Sequence, residues 1–354
     1  MMLQILFIAI IISIYLLFRS SIISTSRNVG VFIDVIIVVL ILQSSLRHFG
    51  VGSDTYAYYL DFENVKLMSW LEILYNFKEV YIDGIGKDAG YPLLEKCFQI
   101  LCPSFRIFLI FVAAIFFYAL SSVFKKYLHT YTDVLMAVAI YLMLFYSFFS
   151  ITGIRQTLAV ALSMIAFIAL LDKKWLKFIV LIFIAFFIHK SAGILLIFPL
   201  VIYTFKPQRV AFVSIILFLA SVVFRSRLVE MFREAAEYEV YETGLPIKLM
   251  AFLFIMSVMV FYTLYKRGFS NEIQKVVKLS FIAFMWIPLL GWDSLFMREI
   301  LYFSIYFVIL IPICFKQLFV ECQTKSLFVL AFVLFCLAVF LKTTGDYKFF
   351  WMDM

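Results

Sequence analysis

Long apolar runs separated by short polar breaks occupy almost the whole chain. Many of these runs approach the roughly 20 residues that cross a bilayer as a helix. They are continuous, whereas the strands of a transmembrane β-barrel alternate apolar and polar residues. The pattern therefore predicts an all-α, polytopic integral membrane protein. We expect about twelve spans, near residues 2–18, 29–46, 105–124, 133–150, 155–171, 175–188, 191–205, 208–224, 247–266, 276–292, 298–315 and 327–342.

Two apolar stretches are too long for one span, and each contains a polar break. Residues 133–171 break at Ser150–Arg155, and residues 175–205 break at His189–Ser191. A further segment, residues 91–103, is apolar but too short to span, which favours a short interfacial or re-entrant helix. At these places the chain is expected to meet a membrane surface.

The composition excludes a soluble protein and gives the net charge a different meaning. Of 354 residues, 65% are hydrophobic and 15% are charged, whereas a typical soluble domain is about 45–50% apolar and about 25% charged. A net charge of +8 would by itself suggest binding to nucleic acid, but the distribution of the charge favours another interpretation. Lys and Arg concentrate in alternate loops, which is typical of the cytoplasmic loops of a membrane protein.

This charge distribution predicts a topology for a single transmembrane domain, residues 1–354. The loops after every odd-numbered span are net basic, so they are predicted to be cytoplasmic. Both termini and the two longer loops, residues 47–104 and 225–246, then face outward. In a bacterium the outer side of the inner membrane is the periplasm.

Unusual polar residues gather at the predicted outward ends of the spans, whose interiors are nearly free of charge. Arg155 and Arg298 each open a span, where an Arg is unfavourable for the helix dipole. Each either extends to the lipid headgroups or provides a fork for phosphate. Arg47 and Lys190 lie at the same predicted surface. Together they suggest a site lined by cations.

His189 and Asp54 are candidates for acid–base chemistry, and each also has a structural interpretation. A lone His near an interface is more often a hydrogen-bonding structural residue, and Asp54 would serve well as a helix N-cap. Tyr56 and Tyr59 are either interfacial belt residues or stacking platforms for sugars. The five scattered cysteines indicate neither a disulfide framework nor a metal site. No metal or cofactor is expected.

Five short motifs occur in order along nearly the whole chain. They are Arg47…Val51-Gly52-Ser53-Asp54-Thr55…Tyr59, Gly90-Tyr91…Leu94, Gly153-Ile154-Arg155-Gln156…Leu158-Ala159, His189-Lys190-Ser191-Ala192 and Arg298…Tyr302-Phe303. Together they resemble the EpsG-like branch of the Wzy-type bacterial polysaccharide polymerases. One departure is that the acidic residue expected directly before Gly90-Tyr91 is Asp88 here, one place displaced.

The resemblance implies a metal-independent glycosyltransferase in the bacterial inner membrane, with a fold similar to the GT-C class and a site facing the periplasm. Its substrates would be oligosaccharide repeat units of O-antigen or another surface polysaccharide, linked to undecaprenyl diphosphate. Its surroundings would be membrane lipids and a possible chain-length regulator protein, with no nucleic acid. The implied site residues are Arg47, Arg155, Lys190 and Arg298 for diphosphate, Asp54, His189 and Glu95 as base candidates, and Tyr56, Tyr59 and Gln156 for sugar.

Three other functions remain as alternatives. A flippase for lipid-linked oligosaccharides would place cations in a central cavity and show related halves, and neither is evident. An O-antigen ligase would use the same substrates, but its large outer loop lies late in the chain. A membrane acyltransferase is supported by His189 alone.

Overall fold

The computed structural model describes residues 2–20, 26–236, 246–290, 294–319 and 325–352. The chain divides into two compact units, one formed by Met1–Gly193 with Leu330–Met354 and the other by Ile194–Val329. Every named element in the described residues is helical. The predicted all-α class is therefore confirmed for this part of the chain.

Nine helices of the first unit precede the point at which the chain enters the second unit. Most of the last helix of the chain also belongs to the first unit. A π-helix, Tyr146–Thr152, joins α7 to α8. Helices α2, α6, α8 and α9 form the packed centre, because α6 contacts both α2 and α8, and α8 contacts α9. The helices are α1 Met2–Ser20, α2 Ser26–Ser45, α3 Thr55–Leu67, α4 Trp70–Tyr81, α5 Gly90–Leu101, α6 Phe105–Tyr127, α7 Tyr131–Leu144, α8 Ile154–Leu171 and α9 Trp175–Ile188.

The second unit begins at Ile194, within a 3₁₀ segment, Lys190–Ile197, and its α11 packs against α14. The last helix begins in the second unit, and its residues from Leu330 onward belong to the first. Of the predicted second outer loop, α12 forms the beginning, and residues 237–245 lie outside the described part of the chain. The helices are α10 Phe198–Thr204, α11 Pro207–Val223, α12 Arg225–Ala236, α13 Ile247–Lys266, α14 Asn271–Trp286, α15 Ser294–Ser304, α16 Phe307–Leu318 and α17 Lys325–Thr343.

The prediction of twelve spans is not confirmed. Among the described residues six helices are long and apolar enough to cross a membrane, or eight if two bent pairs each count as one span. The bent pairs are α7 with the π-helix, at 72°, and α15 with α16, at 47°. Helices α9 and α11, with 14 and 17 residues, are apolar but short. The predicted span 276–292 is not among the candidates, and its last two residues are not described.

The predicted outer loop 47–104 folds into three helices, α3, α4 and α5. An apolar cluster beneath them holds α3 and α5 against α6, α8 and α9, with Phe62 and Phe108 fully buried at its centre. The helix expected within residues 91–103 is present as α5. Its relation to a membrane surface stays a prediction.

The two ends of the first unit carry different contacts. At one end the basic turns meet acids, with Lys125 Nζ 2.6 Å from Asp34 and Lys126 Nζ 4.0 Å from Asp172. At the other end the chain after α2 pairs with the chain after α17, through an antiparallel bridge between Arg47 and Phe349. Whether the basic loops and the long loop lie on opposite sides of a membrane stays a prediction. Which end faces outward stays a prediction.

Candidate functional site

Asp88, in the turn before α5, is the centre of a buried polar group in the first unit. Its backbone is left-handed, with φ 52°, a conformation that Asp tolerates better than most residues. The Oδ1 atom accepts a hydrogen bond from the Lys190 backbone N–H at 2.9 Å, and Oδ2 lies 3.0 Å from His189 Nδ1 and 3.4 Å from Arg155 Nη1. Three segments far apart in sequence therefore meet at one carboxylate.

The charge state of Asp88 follows from these contacts. Burial alone would raise the pKa of this carboxyl, but the hydrogen bonds from His189 and Lys190 and the charge of Arg155 together hold the pKa below its usual value. Asp88 is therefore ionised at neutral pH. An ionised carboxylate of this kind fixes the groups that donate to it.

Gly90 explains why the Asp88 turn reaches the end of α9. A Cβ atom at Gly90 would lie 2.5 Å from the carbonyl carbon and oxygen of Phe187, so only glycine permits this approach. Tyr81, at the end of α4, donates from its hydroxyl to the same carbonyl at 3.0 Å. The Gly-Tyr motif therefore positions Asp88 beside His189.

Arg155 begins α8 with its guanidinium held on several sides. It lies over the rings of Tyr58 and Tyr91, 5.6 and 5.9 Å from their centroids, and its Nε is 3.5 Å from the Tyr58 hydroxyl. Its side chain is 36% exposed while that of Asp88 is 5% exposed. The result is a fixed, partly exposed cation, which suits the binding of a phosphate or carboxylate.

The π-helix before Arg155 is anchored by the end of α2, the loop after it and the start of α3. The Thr55 hydroxyl donates to the Ile151 carbonyl at 2.9 Å, and the Ser44 hydroxyl donates to the Ser150 carbonyl at 2.9 Å. Gly52 has φ 94°, and a Cβ there would lie 2.6 Å from Ile151 Cγ2. The motif around Gly52 therefore holds the break from which Arg155 emerges.

His189 ends α9 and is buried next to Asp88. Its Nδ1 faces the Asp88 carboxylate, and its Nε2 is buried without a hydrogen-bond partner among the described residues. When Nδ1 carries the proton and donates to Asp88, Nε2 is a free acceptor. The pair can thus take up a proton at Nε2 while Asp88 stabilises the resulting charge.

Glu95 lies one turn after Tyr91 on α5 and is fully buried. Burial raises the pKa of Glu95 to about 8, although the Tyr91 side chain and the charge of Arg155 act in the opposite direction. Burial likewise raises the pKa of Tyr91 well above its usual value. Glu95 is therefore protonated at neutral pH, which suits an acid better than the base expected from the sequence.

Lys190 contributes its backbone N–H to Asp88, whereas its ammonium is directed elsewhere. Nζ lies 3.4 Å from the Val80 carbonyl and 3.5 Å from the Gly86 carbonyl, over the Tyr81 ring. These contacts tie the turn between α4 and α5 to the end of α9. The diphosphate role expected for Lys190 stays a prediction.

Arg47 does not join the Asp88 group. It is 4% exposed and donates from Nη1 to the Ser44 carbonyl at 2.5 Å. Burial lowers its pKa to about 10. Arg298 lies on α15, in the second unit, and the diphosphate roles expected for Arg47 and Arg298 stay predictions.

The remaining predicted residues lie on or beside α3 and α8. Asp54 occupies the N-cap position of α3 but makes no side-chain cap hydrogen bond, and it is exposed. Tyr56 is exposed, whereas Tyr59 stacks on Phe49 with 4.9 Å between ring centroids. Gln156 is buried within α8. The catalytic role of Asp54 and the sugar contacts of the other three stay predictions.

Sequence reasoning placed His189, Lys190 and Arg155 at one surface, and the structure brings them together. Sequence reasoning did not include Asp88, Tyr58 and Tyr91 in the site. The sequence did contain a signal for Asp88, because an acidic residue is expected directly before Gly90-Tyr91 and Asp88 lies one place from that position. Among the described residues no group of three His, Cys, Asp or Glu side chains could hold a metal ion.

Comparison with known proteins gives one family. The model of the EpsG family matches residues 30–353, which covers nearly the whole chain and confirms the resemblance seen in the motifs. No curated protein and no solved structure matches the chain.

Proposed function

Because the chain belongs to the EpsG family, we propose that it is a polysaccharide polymerase that joins oligosaccharide repeat units carried on undecaprenyl diphosphate. The reaction takes place at the periplasmic face of the bacterial inner membrane. The apolar helices support a multi-pass membrane protein, and the two distinct ends of the first unit support a site on one side. A chain-length regulator is the expected protein partner.

The observation that carries the proposal is the fixed, partly exposed guanidinium of Arg155 beside the buried Asp88–His189 pair. A lipid diphosphate needs a cation at the headgroup plane, and Arg offers two parallel donors to it. Because the Arg155 side chain is held by Asp88 and two tyrosine rings, little reorganisation is needed when charge builds on the departing diphosphate.

The transfer step balances with the residues of this site. A hydroxyl oxygen of the incoming unit forms a bond to the anomeric carbon of the growing chain, and the bond from that carbon to the diphosphate oxygen breaks. The electron pair leaves with the undecaprenyl diphosphate, whose added charge Arg155 stabilises. The hydroxyl proton passes to a base and then to water; His189 takes this role when substrate binding exposes its Nε2, which is buried here, and Asp88 stabilises the imidazolium. Asp54 is the alternative base.

The proposal is tested by glycan analysis of a strain that lacks the gene. A polymerase defect leaves single repeat units, attached to their lipid carrier or capping lipid A core, and wild-type protein restores long polymer. Complementation with the Arg155→Lys variant at equal protein level should leave single units. Complete absence of repeat units on the outer face would instead indicate a flippase, and polymer present but unattached would indicate a ligase.

A further inference from the structure

Helix α4 of the first unit has three different faces. Ile73 and Val80 are buried and attach the helix to the rest of the unit. Glu72, Asn76 and Glu79 recur at helical spacing and form a polar face. The third face, the α4 apolar face, has side chains that are between 44% and 88% exposed. With Leu67 at the end of α3, its members are Leu67, Trp70, Leu71, Leu74 and Tyr75.

The composition of the α4 apolar face is typical of a helix that meets a membrane surface. Removing apolar side chains from water is favourable, so an exposed patch of this kind marks a contact with another molecule. Trp70 and Tyr75 belong to the two residue types that are enriched where a bilayer meets water. Lys78 lies on the same side of the helix, with its Nζ 6.0 Å from the Tyr75 ring centroid and 3.9 Å from Asp83. The apolar stem of a Lys can cover apolar surface while its ammonium reaches the headgroups.

The α4 apolar face continues into the exposed surface of α9. Since several helices of the chain are long and apolar enough to cross a membrane, exposed apolar side chains on α9 are expected to face lipid. Phe183 of α9 is 55% exposed and lies 6.4 Å from Phe187 between ring centroids, and Phe187 lies 5.7 Å from Phe77 of α4. The lipid that covers α9 therefore reaches α4, which favours lipid over a second copy of the chain as the occupant. The exposed apolar residues of α9 are Trp175, Leu176, Ile179, Val180, Phe183 and Ile184.

We propose that α4 is an interfacial helix whose apolar face lies in the headgroup region of the bilayer, on the side where the Asp88 group lies. Its polar face then points to water. Amphipathic helices bind a bilayer in this way, with the apolar face roughly 5–10 Å into the boundary between headgroups and acyl chains. The ammonium of Lys78 is then placed to pair with an anionic lipid headgroup.

Anchoring of α4 also sets the depth of the candidate site, a consequence that rests on the proposed function. The helix ends at Tyr81, whose hydroxyl donates to the Phe187 carbonyl at 3.0 Å, and the Gly90 turn approaches the same carbonyl. The Lys190 ammonium lies over the Tyr81 ring. Through these contacts α4 holds Asp88 and Arg155 at the level of the headgroups, where the diphosphate of a lipid-linked substrate lies.

The experiment measures which medium covers each face of α4 in a bilayer. Full-length protein with Cys97→Ser and Cys102→Ser is the background, and it supplies the signal of any remaining thiols. Leu74→Cys and Leu71→Cys report on the apolar face, and Glu72→Cys is the matched control on the polar face. Each variant is labelled with an NBD fluorophore and placed in nanodiscs of phosphatidylethanolamine and phosphatidylglycerol. The two quenchers are a phospholipid with a nitroxide near the top of its acyl chain and aqueous iodide.

We expect the lipid nitroxide to quench Leu74→Cys and Leu71→Cys at least about threefold more strongly than Glu72→Cys, because only the apolar face lies within the lipid boundary. Iodide should quench in the opposite order. Equal quenching by iodide at the three positions would overturn the inference. Quenching of Leu74→Cys by neither agent would also overturn it, and would indicate that protein covers this face.

Polymer formation in nanodiscs tests the consequence for the site separately. Leu74→Glu places a charge on the apolar face, and Asn76→Glu places the same charge on the polar face. KM for the lipid-linked units should rise at least about threefold in Leu74→Glu with kcat retained, since alignment with the membrane-bound substrate is lost and the reacting groups are unchanged. Equal KM in the two variants would show that α4 does not set the depth of the site. Fluorescence in the expected order while wild-type protein fails to polymerise would contradict the proposed function alone.

Discussion

Replacing Asp88 with Asn removes one charge from the candidate site with almost no change of shape. Asn adopts the left-handed backbone as readily as Asp, so the φ of 52° at this position adds little extra strain. The turn before α5 should therefore keep its path. The effect of the substitution then reports on the carboxylate itself.

The magnitude follows from the three contacts of the carboxylate. The Asn oxygen can still accept from the Lys190 N–H, but the amide NH₂ faces Arg155 and His189 Nδ1. His189 then relieves a clash between two donors by placing its proton on Nε2, where it can no longer accept one. A comparable change in hydrolase triads lowers kcat by about 10⁴, and we expect a loss of about 10²–10⁴ in transfer.

The assay compares Asp88→Asn with Asp83→Asn, which makes the same change in the same turn. Asp83 is exposed and lies 3.9 Å from Lys78, so this control should retain full activity. The free energy of unfolding of Asp88→Asn should fall by about 1–3 kcal/mol at neutral pH, the worth of charged hydrogen bonds. Because contacts in the fold lower the pKa of Asp88, this deficit should begin to shrink near the unfolded-state pKa of about 4 and vanish only below the lower native-state pKa.

Two outcomes would refute this reasoning. Transfer by Asp88→Asn within threefold of Asp83→Asn would show that the carboxylate does not set the tautomer of a catalytic His189. A stability difference that persists unchanged at low pH would show that Asp88 is not held ionised by its partners.

Four further predictions concern neighbouring residues. Arg155→Lys should abolish long polymer at matched protein level, since Lys keeps the charge but lacks the two parallel N–H donors of the guanidinium. Polymer of normal length would instead favour an Arg155 that only contacts lipid headgroups. The free energy of unfolding of wild type should fall by about 3 kcal/mol relative to that of Glu95→Gln between pH 5 and pH 8. The reason is that Glu95, whose pKa is about 8, destabilises the wild-type fold as pH rises, whereas Gln does not titrate. A difference in free energy of unfolding, measured in urea, that stays constant over this pH range would contradict this. Gly90→Ala should cost about 1–3 kcal/mol in the same assay by pressing on Phe187, and wild-type stability would exclude that contact. Asp54→Asn should slow transfer by about two orders of magnitude or more if Asp54 is the base, and normal kinetics would leave that role to His189.

The sequence located the polar breaks correctly but not their form. The break at Ser150–Arg155 becomes a π-helix with a 72° bend, and the break at His189–Ser191 becomes the start of a 3₁₀ segment. Polar residues inside apolar runs mark such places because a bilayer has no water to satisfy them. The number of spans was less predictable, since bent and short helices depend on packing that the apolar pattern does not encode.

The convergence on Asp88 could not be predicted from local patterns. It requires a turn near residue 88 to pack on the end of α9, and this contact depends on the absence of a side chain at Gly90. The direction of Arg47 was equally hidden, because a residue directly after a helix can face either the site or the core. Arg47 faces the core, where it bonds the Ser44 carbonyl.

The most direct test of the proposed polymerase is reconstitution with purified full-length protein and synthetic undecaprenyl-diphosphate-linked repeat units, in the presence of EDTA. The account predicts a ladder of products that grow by one repeat unit, with one undecaprenyl diphosphate released for each bond formed, and no ladder from Arg155→Lys. Substrate that stays as single units with wild-type protein, or a ladder that forms only after magnesium or manganese is restored, would contradict it.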